Sequence, residues 1–186
     1  GEATTLQAFT SWRWRWNEQW TMTSGVHVLH FALTNATSVE PRAGIRYQMK
    51  PGRAFTAGAG LHAKTETAMT YLAQVTDQQG HTSRPNRMLG LSKAAHVVVG
   101  YEHMITEDIQ VKAEAYYQYH FNVPVENDPT SAFTLSNSSD WFTNKPLVNK
   151  GKGRNYGIEL AVEKYFTRGY HFMVTASLSD ARNKAL

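Results

Sequence analysis

The chain contains no cysteine, which removes disulfide frameworks, thiol catalysis and cysteine-ligated zinc together and leaves the compartment open. No apolar run approaches the length of a spanning helix. The opening GEATTLQAF has neither a basic n-region nor an apolar leader core, so it fits a chain that stays in the cytoplasm or an internal stretch of something larger. Charge of one sign is never gathered in a block. Lys and Arg number 19 against 15 Asp and Glu, and the resulting +4 is spread along the chain, which argues against nucleic acid as a partner. No GxSxG, SxxK or phosphate-binding glycine pattern occurs, so no catalytic residue is assigned and the chain is not read as an enzyme.

Aromatics make up 12% of the sequence and threonines are many, a composition that favours strands. Alternation with a period of two recurs almost everywhere. Leu6, Ala8, Trp12, Trp14 and Trp16 share one parity, and Gln7, Ser11, Arg13, Arg15 and Asn17 share the other. From Ile109 to Phe121, an Ile, Val, Ala, Tyr and Phe row opposes Gln110, Lys112, Glu114, Tyr116, Gln118 and His120. Tyr156, Ile158, Leu160, Val162 and Phe166 oppose Gly157, Glu159 and Glu163, with Lys164 interrupting the apolar row. Tyr170, Phe172, Val174, Ala176 and Leu178 oppose His171, Thr175 and Ser177.

Further strands are expected over Trp20–Leu33, Arg42–Lys50, Arg53–Ala63 and Ala95–Met104, for a total of about eight. Several reach the roughly nine to eleven residues that a tilted strand needs to cross a bilayer. The segments 17–19, 50–53, 106–108 and 167–169 read as tight polar turns. Between them the connections are longer, over 34–41, 64–93 and 122–152, with a helical turn expected near 67–74. Turns that alternate short and long describe an antiparallel up-and-down meander with one variable end, as in outer-membrane barrels. The chain is read as one unit, residues 1–186.

Isolated chemistry is scarce. His27 and His30 sit three apart, which on a strand aims them at opposite faces, and the remaining histidines are scattered; no metal site and no cofactor are assigned. Glu159 and Glu163 share a strand face but stand about 13 Å apart, too far for a glycosidase carboxylate pair. With Lys112 and Glu114 on the expected partner strand they form a charged ladder, and Arg13 and Arg15 join them as residues facing a hydrated lumen. The tryptophans of WRWRW (12–16) face lipid, where an apolar ring with a polar N–H sits well near the interface.

The string LVNKGKGRNYGIELAVEKYFTRGYHFMVTASLSDA (147–181) resembles the barrel of TonB-dependent outer-membrane receptors of the type common in Bacteroidetes. VEPRAGIRYQMKPG (39–52) and AAHVVVGYEHMITEDIQVKAEAYYQYHFNVPV (94–125) resemble preceding strands of the same barrel in the same order. The resemblance implies a bacterial outer-membrane location and a fragment of a C-terminal barrel of about 22 strands. Signal, TonB-contacting segment, plug and closing strands would lie elsewhere. It also implies the lipid bilayer, TonB and the plug as partners, and a large scarce solute as ligand: an iron chelate, cobalamin or an oligosaccharide. Ligand contacts are expected in the long loops at Tyr71, Phe133, Trp141 and Phe142. Two alternatives are a complete eight-stranded barrel acting as an anchor or adhesin, and a soluble β-sandwich that binds carbohydrate. An open sheet with one apolar face is expected to curl or self-associate in water.

Overall fold

The computed structural model describes residues 3–76, 79–137 and 143–186. Its chain order is β1 (Thr5–Arg15), β2 (Trp20–Phe31), β3 (Ala36–Lys50), β4 (Arg53–Lys64), α1 (Ala68–Leu72), β5 (Val75–Thr76), β6 (Thr82–Ser83), β7 (Ser92–Met104), β8 (Ile109–Glu126), β9 (Leu147–Thr167) and β10 (Tyr170–Lys184). Eight strands form one antiparallel sheet in the order β1-β2-β3-β4-β7-β8-β9-β10, and β5 and β6 form a separate hairpin. This is the expected all-β meander. β1 and β10 are opposite edges and do not pair, so the chain is neither a closed eight-stranded barrel nor a sandwich of two packed sheets.

Register converts the alternation into two continuous faces. One row across the sheet reads Trp14, Met22, Ile45, Ala57, Val99, Ala115, Ile158 and Leu178. The adjacent row, on the other face, reads Arg15, Thr21, Arg46, Thr56, Gly100, Glu114, Glu159 and Ser177. A shift of one residue in any strand would exchange its contributions to the two rows, which is why the pattern pins the register so firmly. Towards the tight-turn end the apolar face carries an aromatic row, with Trp20 stacked on Tyr47 at 4.4 Å and Phe55 against Tyr101 at 4.9 Å.

Several strands run further than their periodicity indicates. β3 starts at Ala36, so the connection expected over 34–41 is a tight turn closed by Asn35 in the left-handed region (φ 54°). Pro41 lies inside β3, just before the β3–β4 ladder begins at Arg42, where the second edge of the strand is unpaired and a missing N–H is tolerated. β8 continues past a bulge at Asn122 (φ 55°) to Glu126, and β9 starts at Leu147. Gly151 makes that extension feasible: a Cβ there would run into the Val125 side chain and sit 2.8 Å from the Val123 carbonyl oxygen.

The buried core does not underlie the sheet. Leu29, Phe31, Tyr71, Leu89, Leu91 and Leu147 cluster at the long-loop end, with Leu33, Phe133 and Leu135 packed against them. The apolar face of the strands, by contrast, stays exposed: Trp14, Ile158 and Leu178 are all more than half accessible. An apolar face of this extent needs a medium other than water.

Candidate functional site

The polar face is built by strand parity. Arg13 and Arg15 lie on β1 opposite Thr23 and Thr21, on the face opposite Trp12 and Trp14. Glu114 of β8 stands directly across from Glu159 of β9, a like-charge pair that Lys112 offsets by placing Nζ 3.1 Å from Glu114 Oε2. Glu163 pairs with Gln110 two steps further along the same face. Arg46 Nη1 meets Glu102 Oε2 at 2.6 Å, joining β3 to β7 across β4. Six side chains expected on one polar face therefore share it, and β8 is the partner of β9.

Three histidines also converge on this face. His62 of β4 and His120 of β8 both pair with Ala94 of β7, and His96 lies one step along the central strand. The His62 and His96 rings are 4.5 Å apart, and His96 and His120 are 6.5 Å apart. Sequence reading left these residues scattered. The signal was present as shared parity, and it becomes visible only when the register places His62, Ala94 and His120 in one row. Small Ala94 lets the flanking rings lean over it beside a cavity of about 310 Å³ that Lys64 and Glu66 also line. Among the described residues no set of three ligating groups has the geometry to hold a metal ion.

Glu40 is 2% exposed on the same face near the long-loop end. Its Oε2 lies 3.0 Å from His27 Nδ1, while Oε1 is buried without a partner. His27, Glu40, Arg42 and His62 line a further cavity of about 700 Å³.

The long loops close over the strand ends as one unit. Asn86, fully buried, donates from Nδ2 to the Lys145 carbonyl (2.9 Å) and accepts from the Leu147 N–H (2.8 Å). Asn149 repeats the device, accepting from the Gly90 N–H at 2.7 Å and donating to the Asn122 carbonyl at 2.9 Å. Tyr71, expected to meet ligand, is fully buried against Phe31, and its hydroxyl accepts from the Glu66 N–H at 3.1 Å; burial pushes its phenol pKa up. It packs the loop base and has no surface to offer. Phe133 is half-buried beneath the Lys145 ammonium, 5.2 Å from the ring centre. Trp141 and Phe142 lie outside the described residues.

A single sheet of long strands, apolar on one face and polar on the other, with both long connections at one end, has the features of a transmembrane barrel wall. A family model described as TonB dependent receptor-like, beta-barrel, matches residues 1–184. The chain belongs to the TonB-dependent receptor β-barrel family. A barrel of this family lies in the bacterial outer membrane. Solved structures agree on the fold. The FrpB iron transporter from Neisseria meningitidis (F3-3 variant) superposes with a TM-score of 0.66 at 15% identity, over 97% of this chain and 26% of that one. The siderophore receptor PirA from Pseudomonas aeruginosa gives 0.71 at 10% identity, over 96% and 34%. The RagAB peptide importer in its closed-closed state gives 0.65 at 11%, over 96% and 22%. The chain thus spans between 22% and 34% of the length of these proteins. No curated protein sequence matches it.

Proposed function

We propose that this stretch forms about a third of the wall of a receptor that takes up a large scarce solute across the outer membrane, energised through TonB and a plug. The observation that supports this most directly is the two-faced sheet within a barrel-family match: lipid-facing Trp14, Ile158 and Leu178 back directly onto an interior lined with Arg, Glu, Lys and His. The barrel is scaffold and conduit. Structural relatives are named for iron, siderophore and peptide transport, so an iron chelate stands beside cobalamin, oligosaccharide and peptide as solute classes for this chain.

Within the loops, Trp141 and Phe142 carry the proposed stacking contacts. Phe133 and Tyr71 pack in the cluster at the base of the loops. On the interior wall the imidazoles of His62, His96 and His120 offer donors and acceptors on the solute's path. Catalysis has no part in this reading. In isolation the stretch exposes two sheet edges and an apolar face, and we expect it to self-associate without lipid.

The test is uptake by the full-length receptor in cells, using labelled ferric siderophores, cobalamin, oligosaccharides and peptides, with and without a working TonB complex. TonB-dependent uptake of one class, lost when Trp141 and Phe142 are replaced by alanine while the barrel still inserts, supports the reading. Uptake of none, or uptake indifferent to TonB, defeats it.

A further inference from the structure

The imidazoles of this chain differ in how they are held. His27, His30 and His103 each meet a neighbouring side chain, Glu40 at 3.0 Å, Thr37 at 2.9 Å and Arg53 at 3.0 Å. His62, His96 and His120, which converge on the polar face, are half-buried yet form no hydrogen bond with any of the described residues. Each keeps a ring N–H that the fold does not use. Two further donors border them. Gln118 stands beside His96 in the register, and its Oε1 accepts from Asn155 Nδ2 at 3.4 Å, which leaves its own amide N–H groups unbonded among the described residues. Lys64, at the end of β4 and two residues past His62, makes no ion pair among them either.

Next to the arc the wall is bare backbone. A Cβ added to Gly60 would lie 3.5 Å from His62 Nε2 and 3.0 Å from Arg42 Cβ, so the ring and the guanidinium stem stand over a glycine floor. Arg42, Gly60, His62, His96 and Gln118 line a cavity of about 370 Å³ there. His62 and His96 also line the cavity of about 310 Å³ that Lys64 borders. Because the two cavities share a pair of imidazoles, they make one groove, rich in N–H donors, that runs along the polar face from the long-loop end.

We infer that this groove recognises carboxylate groups carried by the solute. The acids that border it are already engaged: Glu66 receives the Ser92 hydroxyl, and Glu40 is 2% exposed against His27. Arg42 stands 3.9 Å from Glu40, which leaves most of its fork of donors open. Fixed charge nearly cancels, with Lys64 and Arg42 set against Glu66 and Glu40, so a phosphate dianion finds no surplus cation to neutralise it. A carboxylate spreads one charge over two oxygens and suits single N–H donors on neighbouring rings. Of the solute classes proposed above, this selects those with exposed carboxylates: a ferric chelate of a polycarboxylic acid, or an acidic peptide.

This inference rests on the uptake reading above, in which the polar face is the barrel interior, and the test separates the two. The full-length receptor, in detergent, is titrated calorimetrically with ferric citrate, a hexa-aspartate peptide, a neutral ferric trihydroxamate, a hexaserine peptide and inorganic phosphate. The expected result is binding of ferric citrate or of hexa-aspartate, and which of them binds names the source of the carboxylates. Binding should be at least tenfold weaker in His62→Phe/His96→Phe/His120→Phe, which keeps the rings and removes several hydrogen bonds to a charged group. It should be unchanged in Lys50→Gln/Arg168→Gln, which removes two cations at the tight-turn end. His96→Phe alone gives a smaller loss and serves if the triple variant does not fold. Equal binding by wild type and the histidine variants, binding of neither carboxylated probe, or equal binding of the neutral counterparts overturns the site. Inorganic phosphate bound as tightly overturns the carboxylate assignment. TonB-dependent uptake of some other solute in cells, alongside any of those failures, leaves the uptake reading standing; absence of all TonB-dependent uptake defeats that reading instead.

Discussion

Lys164 Nζ stands 3.2 Å from Asp108 Oδ2, and the pair ties together two neighbouring tight turns, the one after β7 and the one after β9. The ammonium also donates to the Thr167 hydroxyl at 2.6 Å and to the Thr167 carbonyl at 3.1 Å, and it lies 4.1 Å from the centre of the Tyr170 ring. That explains a lysine, 5% exposed, in an otherwise apolar row. It is a fastening at the tight-turn end of the strand. Lys164→Met keeps the stem and removes the donors, so Asp108 loses one of its three donors and the Thr167 carbonyl loses the ammonium. A loss of about 2 kcal/mol is expected. Urea titration of the full-length receptor refolded into lipid vesicles measures it, and a change below about 0.5 kcal/mol would refute the role.

Asp108 gives the same fastening a pH signature. Hydrogen bonds from Thr167, then Thr106, then Lys164 hold its carboxyl well below the ordinary carboxylate range. The folded state therefore prefers the ionised form. Its contribution is complete above the unfolded value near about 3.9 and is lost only as pH falls through the depressed one. Stability of the wild type relative to Asp108→Asn should stay level from neutral pH to about 4 and narrow only in stronger acid. A gap that closes by about pH 5 would show that the carboxyl is not held down.

The assignment of faces makes a sharper demand. Ile158 and Ser177 stand in adjacent rows on adjacent strands, one on the apolar face and one on the polar face. Arginine at position 158 would enter hydrocarbon and cost about 2–4 kcal/mol near the midplane. At position 177 it would meet Glu159 across the ladder and a hydrated interior, at little cost. Comparing refolding stabilities of Ile158→Arg and Ser177→Arg tests the assignment, since equal penalties would mean that both faces see the same medium.

Why the faces were legible while the sites were not follows from range. Alternation is local, so Trp12, Trp14 and Trp16 announce their face without any knowledge of neighbouring strands. The partnership of Lys112 and Glu114 with Glu159 follows from adjacency of consecutive hairpins. The histidine cluster depends on pairing across more than fifty residues, from His62 through Ala94 to His120, and nothing in the spacing of those residues encodes a register. Tyr71 fails for the converse reason. A tyrosine in a polar loop reads as a contact residue, yet Phe31 from β2 reaches up to bury it.

Asn86 is the residue on which the loop architecture depends most. Its amide joins the segment after β6 to the residues that open β9, through bonds to Lys145 and Leu147, and it does so without any exposed surface. Asn86→Ala leaves the Leu147 N–H and the Lys145 carbonyl without that partner in a buried setting, a loss of about 1–3 kcal/mol. Because the strand ladders do not rely on Asn86, the loss should appear as local opening and not as unfolding of the wall. Hydrogen exchange at Leu147 and Gly90 is expected to quicken at least tenfold, while the Tyr165 amide, bonded to the Asp108 carbonyl at the far turn, keeps its protection. If the two loops must be held together to present Trp141 and Phe142, solute uptake should fall in this variant with barrel stability nearly intact. Uniformly faster exchange at both ends would show that the loops and the strands unfold as one and that Asn86 is simply part of a global core.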